Sequence, residues 1–108
     1  MSNEVIVVLV TCPPDQAQAI ADALVEERVA ACVNIVTNLQ SVYRWKGSVQ
    51  REGETLLITK TTRDRFDALK DLVLKHHRYE IPEVIALPVG PGHAPYLEWV
   101  VESTRQLT

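Results

Sequence analysis

The sequence has no strong excess of charge of one sign. Eleven lysines and arginines stand against 14 acidic residues, which gives a net charge of −3 over 108 residues. Domains that bind nucleic acid concentrate basic residues on one face, and segments that bind polyanions or membrane surfaces contain runs of like charge. The charges of this chain are interspersed, so we expect neither a nucleic-acid partner nor a membrane partner.

Long hydrophobic runs are also absent. The apolar run at residues 5–10 has six residues, whereas a membrane-spanning helix needs roughly 18. The same run is too short for the core of a secretory signal, and the four residues before it include no lysine or arginine. We therefore expect a cytoplasmic protein.

The familiar signatures of enzymes are missing too. The four glycines fall into none of the spacings that hold phosphates or dinucleotides, and no G-x-S-x-G motif is present. Two cysteines, Cys12 and Cys32, lie in apolar contexts and are expected to be free thiols, with a disulfide as the alternative. Cys12 precedes a predicted helix and could be a nucleophile, but a packed residue is the simpler interpretation. We expect no enzymatic activity.

Apolar residues are plentiful, at 46% of the chain. Residues 1–108 are expected to form one domain, and a domain of this size has a limited core. The order of predicted elements is strand, helix, strand, strand, helix, strand, helix. This is the α+β, ferredoxin-like βαββαβ order with an extra C-terminal helix. Helices would cover one face of a four-stranded sheet, and the other face would need a cover that the monomer does not supply.

Runs of β-branched residues predict the strands, and amphipathic spacing predicts the helices. The first strand is expected to be buried on both faces because its apolar run is continuous, and Pro88 assigns the last strand to an edge or a bulge. The expected strands cover residues 5–10, 32–45 with a bend at 37–39, 49–61 and 84–89, and the helices cover about 14–28, 62–79 and 95–106.

His76 and His77 have the clearest metal-binding chemistry, because imidazole suits copper, zinc and nickel. Adjacent side chains on a helix point about 100° apart, so one ion can take both rings only if the helix ends there. His76 continues the apolar stripe of Leu72 and Val73, which predicts a ring that leans toward the packed face. His77 is nearer the end of the helix and is expected to point outward. The alternative is that both histidines are structural.

Two further groups of residues leave alternatives open. Glu54, Lys60 and Glu83 could do acid–base work near a histidine, or could form a salt bridge or a subunit contact. The aromatic residues Trp45, Tyr96 and Trp99 could form a binding platform, although aromatics are also common interface anchors. The second interpretation is the simpler one in both cases.

Six segments of the chain resemble the CutA family of divalent-cation tolerance proteins, in the same order and at similar spacing. The resemblance covers nearly the whole chain. The segments are A-A-C-V-N-I at 30–35, S-V-Y-R-W-K-G at 41–47, K-T at 60–61, H-x-Y-x-x-P-E at 77–83, A-L-P at 86–88 and Y-L-x-W at 96–99.

The resemblance implies a compact homotrimer of ferredoxin-like subunits, a role in tolerance to divalent cations, and a copper (Cu2+) site. His76 and His77 match the histidine pair of that site. Its third ligand is a cysteine in the first strand, where this chain has Val10, and Cys12 lies two residues later on the same strand face. The fold also resembles the PII signalling proteins. Two alternatives are therefore a trimeric sensor of a small molecule or nucleotide and a structural trimer that binds a protein partner.

Overall fold

The computed structural model describes residues 4–107 and confirms the predicted order of strands and helices. Short 3-10 helices, Pro14–Gln16 and Arg63–Arg65, lead into the first and second α-helices. The strands are β1 (Val5–Cys12), β2 (Cys32–Trp45), β3 (Ser48–Thr62) and β4 (Val84–Pro88), and the helices are α1 (Ala17–Glu26), α2 (Phe66–His76) and α3 (Ala94–Ser103).

The four strands form one antiparallel sheet in the order β2-β3-β1-β4. This is the α+β arrangement that the sequence predicts, with β1 inside the sheet and β4, which ends at Pro88, at an edge. Proline has no backbone N–H to donate, so it is tolerated at an edge position. No helix among residues 4–107 is both long enough and apolar enough to span a bilayer.

The first strand is covered on one face only. Val8 and Val10 are fully buried, while Val7 and Leu9 between them are half-buried. The expectation that both faces of this strand are buried is therefore wrong. The physical reason is that α1 and α2 pack on one face of the sheet, so that alternate side chains of β1 face away from them.

Helices α1 and α2 complete the core with apolar side chains on one stripe each. Ile20 and Leu24 of α1 and Leu69 and Val73 of α2 are at most 1% exposed, and they form one cluster with the buried residues of β1. In each helix the two residues are four positions apart, which places them on the same side of the helix. These contacts fix both helices on the sheet.

The opposite face of the sheet carries apolar side chains that remain partly exposed. Leu9 lies between Ile58 on β3 and Ile85 on β4 in the strand register, so the three share this face. Ile85 is 50% exposed and Leu87 is 47% exposed. We call this side of the sheet the open face. Its exposure agrees with the expectation that the monomer leaves one face without a cover.

The third helix packs at one end of the sheet and keeps part of its surface exposed. Val100 is fully buried, and Thr104 Oγ1 lies 3.5 Å from Thr62 Oγ1 on β3. Tyr96 and Trp99 stand side by side on the exposed side, with ring centroids 5.6 Å apart. Helix α3 therefore carries more apolar surface than its contacts with the sheet cover, as its sequence predicts.

Strands β2 and β3 form a long hairpin, and two backbone features define its shape. A register shift between Val36 and Leu39 forms a bulge, where Asn38 has a positive φ of 64°, at the predicted bend. The tip is a two-residue turn in which Lys46 and Gly47 have φ values of 50° and 85°. Two positive φ values are typical of the type I′ turn, whose twist matches that of the strands.

We expect Gly47→Ala to destabilise the protein by about 1–2 kcal/mol, because a side chain at a positive φ is strained in the left-handed region. Gly90→Ala is the matched control, since Gly90 has open space around it and no positive φ. That change should be neutral or slightly stabilising, because it restricts the unfolded chain. Thermal unfolding at one fixed protein concentration would measure both, and equal melting temperatures for the two variants would contradict the turn assignment.

Candidate functional site

A cleft of about 780 Å³ lies between the outer half of the β2–β3 hairpin and the loop that follows α2. The hairpin supplies mostly alternate side chains of β2 and β3, the loop supplies residues 78–81 and Glu83, and β1 supplies Thr11. We call it the aromatic–acidic cleft, after the side chains that line it. Those central to its chemistry are Tyr43, Trp45, Glu52, Glu54, Tyr79 and Glu83.

Two tyrosine hydroxyls in the cleft converge on one carboxylate. Tyr43 Oη donates to Glu52 Oε1 at 2.7 Å, and Tyr79 Oη donates to the same oxygen at 3.3 Å. Burial, followed by the negative charge of Glu54, raises the pKa of Tyr79 well above its usual range. The hydrogen bond to Glu52 raises the pKa of Tyr43 in the same direction. Both phenols therefore remain protonated donors at neutral pH.

Glu54 is the buried acid of the cleft. It is 5% exposed, and Tyr79 is close enough for the Glu54 charge to raise its pKa. None of the ion pairs formed within residues 4–107 includes Glu54. The Tyr79 hydroxyl also hydrogen-bonds to Glu54, so this buried carboxylate has a polar partner, and together with Glu52 it makes the lining of the cleft acidic.

His77 fixes the loop that forms one wall of the cleft. It follows the last residue of α2, and its extended backbone (φ −94°, ψ 136°) turns its ring back over β1. Nε2 lies 2.8 Å from the carbonyl oxygen of Thr11, and the backbone N–H of Tyr79 donates to Nδ1 at 3.2 Å. A carbonyl can only accept, so the geometry assigns the proton to Nε2 and leaves Nδ1 as an acceptor.

The orientations of the two histidine side chains are the reverse of those predicted from the sequence. His77 is 7% exposed, whereas His76, the last residue of α2, is exposed. The expectation that His76 leans toward the packed face and that His77 points outward is wrong. The reason is that the helix ends at His76 rather than near Tyr79, so the chain already turns at His77 and carries its ring inward.

Cys12 lies in the core, away from solvent. It is fully buried, and burial raises the pKa of its thiol to about 11, with smaller contributions from the charges of Glu54 and Asp15. Metals bind the thiolate rather than the thiol, so this side chain is a poor ligand at neutral pH. Cys12 and Cys32 are both free thiols.

The three predicted ligands do not form a ready-made site. His76 is in solvent, both nitrogens of His77 are engaged in hydrogen bonds, and the Cys12 thiol is buried and protonated. Within the described part of the chain, no three histidine, cysteine, aspartate or glutamate side chains are grouped closely enough to hold an ion. Of the three, only His76 offers a ring that a metal could reach without rearrangement.

Comparison with known proteins supports one family. A family model described as "CutA1 divalent ion tolerance protein" matches residues 6–103. The chain is 52% identical over 99 residues to the divalent-cation tolerance protein CutA of Thermus thermophilus, which covers 91% of this chain and 96% of that protein. It is also 49% identical to the chloroplastic CutA 1 of rice, over 94% of this chain, and it spans 58% of the length of that protein.

Solved structures give the same result. The crystal structure of CutA1 from rice superposes with a TM-score of 0.93 at 46% identity and covers 98% of both chains. A structure from Nostoc described as the PII-like protein CutA in apo form superposes with a TM-score of 0.87 at 33% identity, over 93% of this chain and 97% of that one. The fold of this chain is therefore shared along its whole described length.

His77→Ala should destabilise the protein by about 2–4 kcal/mol, because it removes a buried ring and leaves the Tyr79 N–H without its acceptor. His76→Ala is the matched control, and as an exposed substitution it should change the free energy of unfolding by less than about 0.5 kcal/mol. Denaturant unfolding measures both values. Long-range ¹⁵N NMR on wild type should show Nε2 as the protonated nitrogen of His77, and a proton on Nδ1 would overturn the assignment.

Proposed function

The chain belongs to the CutA1 divalent ion tolerance protein family, and we propose that it acts in divalent-cation tolerance as a homotrimer that binds Cu(II) weakly at the end of α2. The observation that supports the copper proposal is the exposed imidazole of His76 at the last position of α2. Copper stands at the top of the affinity order for divalent first-row metals and accepts imidazole readily.

The weakness of the site follows from its other two ligands. His77 can join His76 only by giving up the hydrogen bond to Thr11 or the one from Tyr79. Cys12 would have to leave the core and lose a proton that its raised pKa retains. The proposed order of contribution is therefore His76 first, His77 second and Cys12 last. This order follows from the observed burial of His77, whereas the outward orientation expected for His77 from the sequence would have made it the main ligand.

The homotrimer is proposed from the open face of the sheet. Ile85 and Leu87 on β4 and Trp99 on α3 are each about half exposed, although large apolar side chains are favoured in contacts that exclude water. Obligate interfaces bury more than about 2,000 Å² and resemble a core cut in half. Association of subunits through this face would supply the cover that α1 and α2 do not provide.

The proposal also includes a cytoplasmic location and the absence of catalytic turnover. The support for the first is that both cysteines are free thiols, which is the usual state in a reducing compartment. The support for the second is that His77 has no free nitrogen to act as a base and that the Cys12 thiol is protonated and buried.

A second candidate function is that of a PII-like sensor of a small molecule. The observation that favours it is the aromatic–acidic cleft, whose volume of about 780 Å³ lies within the range of roughly 300–1,000 Å³ that is typical of ligand sites. The likeness to the structure described as a PII-like protein is consistent with this role. The two functions use different residues, so they can be tested separately.

Calorimetric titration of Cu(II) should give weak saturable binding to wild type, and His76→Ala should weaken it by about tenfold because the accessible nitrogen is lost. His77→Ala should have a smaller effect, Cys12→Ser none, and His93→Ala serves as an exposed control. Binding should fall below about pH 6, because a protonated imidazole cannot ligate. Equal affinity of wild type and His76→Ala would remove the site from the end of α2.

Light scattering after size exclusion should give three times the 12.1 kDa subunit mass for wild type at micromolar concentration. Ile85→Lys should lower that mass, because it places a charge on the proposed contact surface. Val25→Lys is the matched control, since Val25 is exposed to a similar degree on α1, away from the open face. A monomeric wild type, or an equal loss of mass in both variants, would refute the proposed interface.

A further inference from the structure

We propose that the ammonium group of Lys60 from one subunit enters the aromatic–acidic cleft of the next subunit and pairs there with Glu52 and Glu54. This inference rests on the proposed homotrimer and deepens it, because it names a residue that a second copy contributes to the cleft. It is independent of copper binding, since it involves neither His76 nor Cys12.

Strand β3 carries an ordered set of side chains along the open face of the sheet. Because side chains alternate across a strand, this face presents in order Glu52, Glu54, Leu56, Ile58 and Lys60. One end of the row is acidic, the middle is apolar and the other end is basic. Arg44 and Arg51 alternate with residues that line the cleft, so they lie on the other face of the hairpin and do not belong to this row.

The two charged ends of the row cannot neutralise each other within one chain. At roughly 3.3 Å per residue, Glu54 and Lys60 lie about 20 Å apart along the strand, which is well beyond the screening length of about 8 Å at physiological salt. None of the ion pairs formed within residues 4–107 includes Lys60, Glu52 or Glu54. An ion pair between Glu54 and Lys60 is thus excluded within one chain, whereas a contact between subunits remains.

Lys60 is held in place by a neutral group. Its side chain is partly buried, and Nζ donates to Oδ1 of Asn34 on the neighbouring strand. An amide oxygen accepts a hydrogen bond but brings no negative charge, so the charge of the ammonium group stays uncompensated. A side chain that is already oriented loses less conformational entropy when a partner binds, which favours Lys60 as the basic contact.

The carboxylates of the cleft have hydroxyl partners but no cation. Tyr43 and Tyr79 donate to Glu52, and Tyr79 also hydrogen-bonds to Glu54. The only arginine of the lining, Arg78, already forms an ion pair with Asp15 at 3.1 Å. A carboxylate can accept several hydrogen bonds on its two oxygens, so both glutamates can still accept from an ammonium group.

A second copy of the chain fits the open face because its own charges are complementary to it. The apolar middle of the row continues into the half-exposed Ile85 and Leu87, and burial of this surface favours association. Complementary charges set the orientation of two partners. Since every copy carries both an acidic and a basic end, a head-to-tail contact can repeat from copy to copy, and it forms a ring where the rotation closes.

Cross-linking with a water-soluble carbodiimide tests the contact directly. The reagent joins a lysine amine to a carboxylate as an amide and takes up the water that is released. Since Lys60 lies about 20 Å or more from both glutamates within one chain, an amide between them can form only between subunits. The wild-type oligomer should give covalently linked subunits, and peptide mass spectrometry should identify Lys60 joined to Glu52, which is exposed in one subunit, or to Glu54.

Two variants control the cross-link. Lys60→Arg keeps the charge but cannot form the amide, so it should abolish this cross-link and leave the oligomer mass unchanged. Lys70→Arg is the matched control, because Lys70 is also partly buried but lies on α2, away from the open face. It should leave the cross-link in place.

Dissociation on dilution gives a second and independent measurement. Lys60→Gln should raise the subunit concentration at which half of the oligomer dissociates by at least about tenfold, because it leaves the carboxylate of Glu54 without its cation in the interface. Lys70→Gln should dissociate as wild type does. Circular dichroism at a concentration where both variants are assembled should match that of wild type.

The outcomes separate this inference from the proposed homotrimer. A wild-type trimer in which Lys60 forms no cross-link to either glutamate would overturn the inference and leave the trimer standing, with another occupant for the cleft. Equal dissociation of Lys60→Gln and Lys70→Gln would also overturn it. A wild-type dimer that forms the cross-link would refute the trimer but support the contact of Lys60 with the cleft. A monomeric wild type would refute both.

Discussion

The paired hydrogen bonds of His77 determine the geometry of the site. One bond ties the ring to the Thr11 carbonyl near the end of β1, and the other receives the backbone N–H of Tyr79. Because α2 has already ended, the first bond ties the start of the following loop to the sheet and the second orders the loop itself, while a bond from Thr11 to Glu83 holds its far end. Tyr79 then reaches the carboxylate of Glu52 on β3. The neutral ring of His77 thus joins β1 to the end of α2 and orients Tyr79, which in turn reaches the hairpin and forms one wall of the cleft.

Much of the fold could be predicted from local patterns, whereas the site could not. β-Branched runs and the Lys46-Gly47 turn define the strands, and Pro88 correctly assigns β4 to an edge. The orientations of His76 and His77 depend on the residue at which α2 stops, and helix periodicity does not fix that point. The acidic cleft was missed because Glu52 and Tyr79 are distant in sequence, and only the packing of the loop against the hairpin brings them together.

The cleft and the open face belong to the same side of the sheet. Alternation along β3 places Glu52, Glu54, Leu56 and Ile58 on one face, and Ile58 is aligned through Leu9 with the exposed Ile85. An apolar surface that favours association thus continues directly into a polar cavity. A second copy seated on the apolar part would border the cleft, so assembly and ligand binding are expected to influence each other through their shared edge.

His77 also sets a limit on how the two proposed ligands can coexist. If its Nδ1 became a copper ligand, the Tyr79 N–H would lose its acceptor, and if Nε2 did, the loop would lose its tie to Thr11. Either change frees the loop that carries Tyr79 and so weakens the wall of the cleft. Copper held by His76 alone leaves both hydrogen bonds in place. The copper site and the aromatic–acidic cleft are therefore independent to the extent that His77 takes no part in metal binding. The buried position of the His77 ring favours that independence.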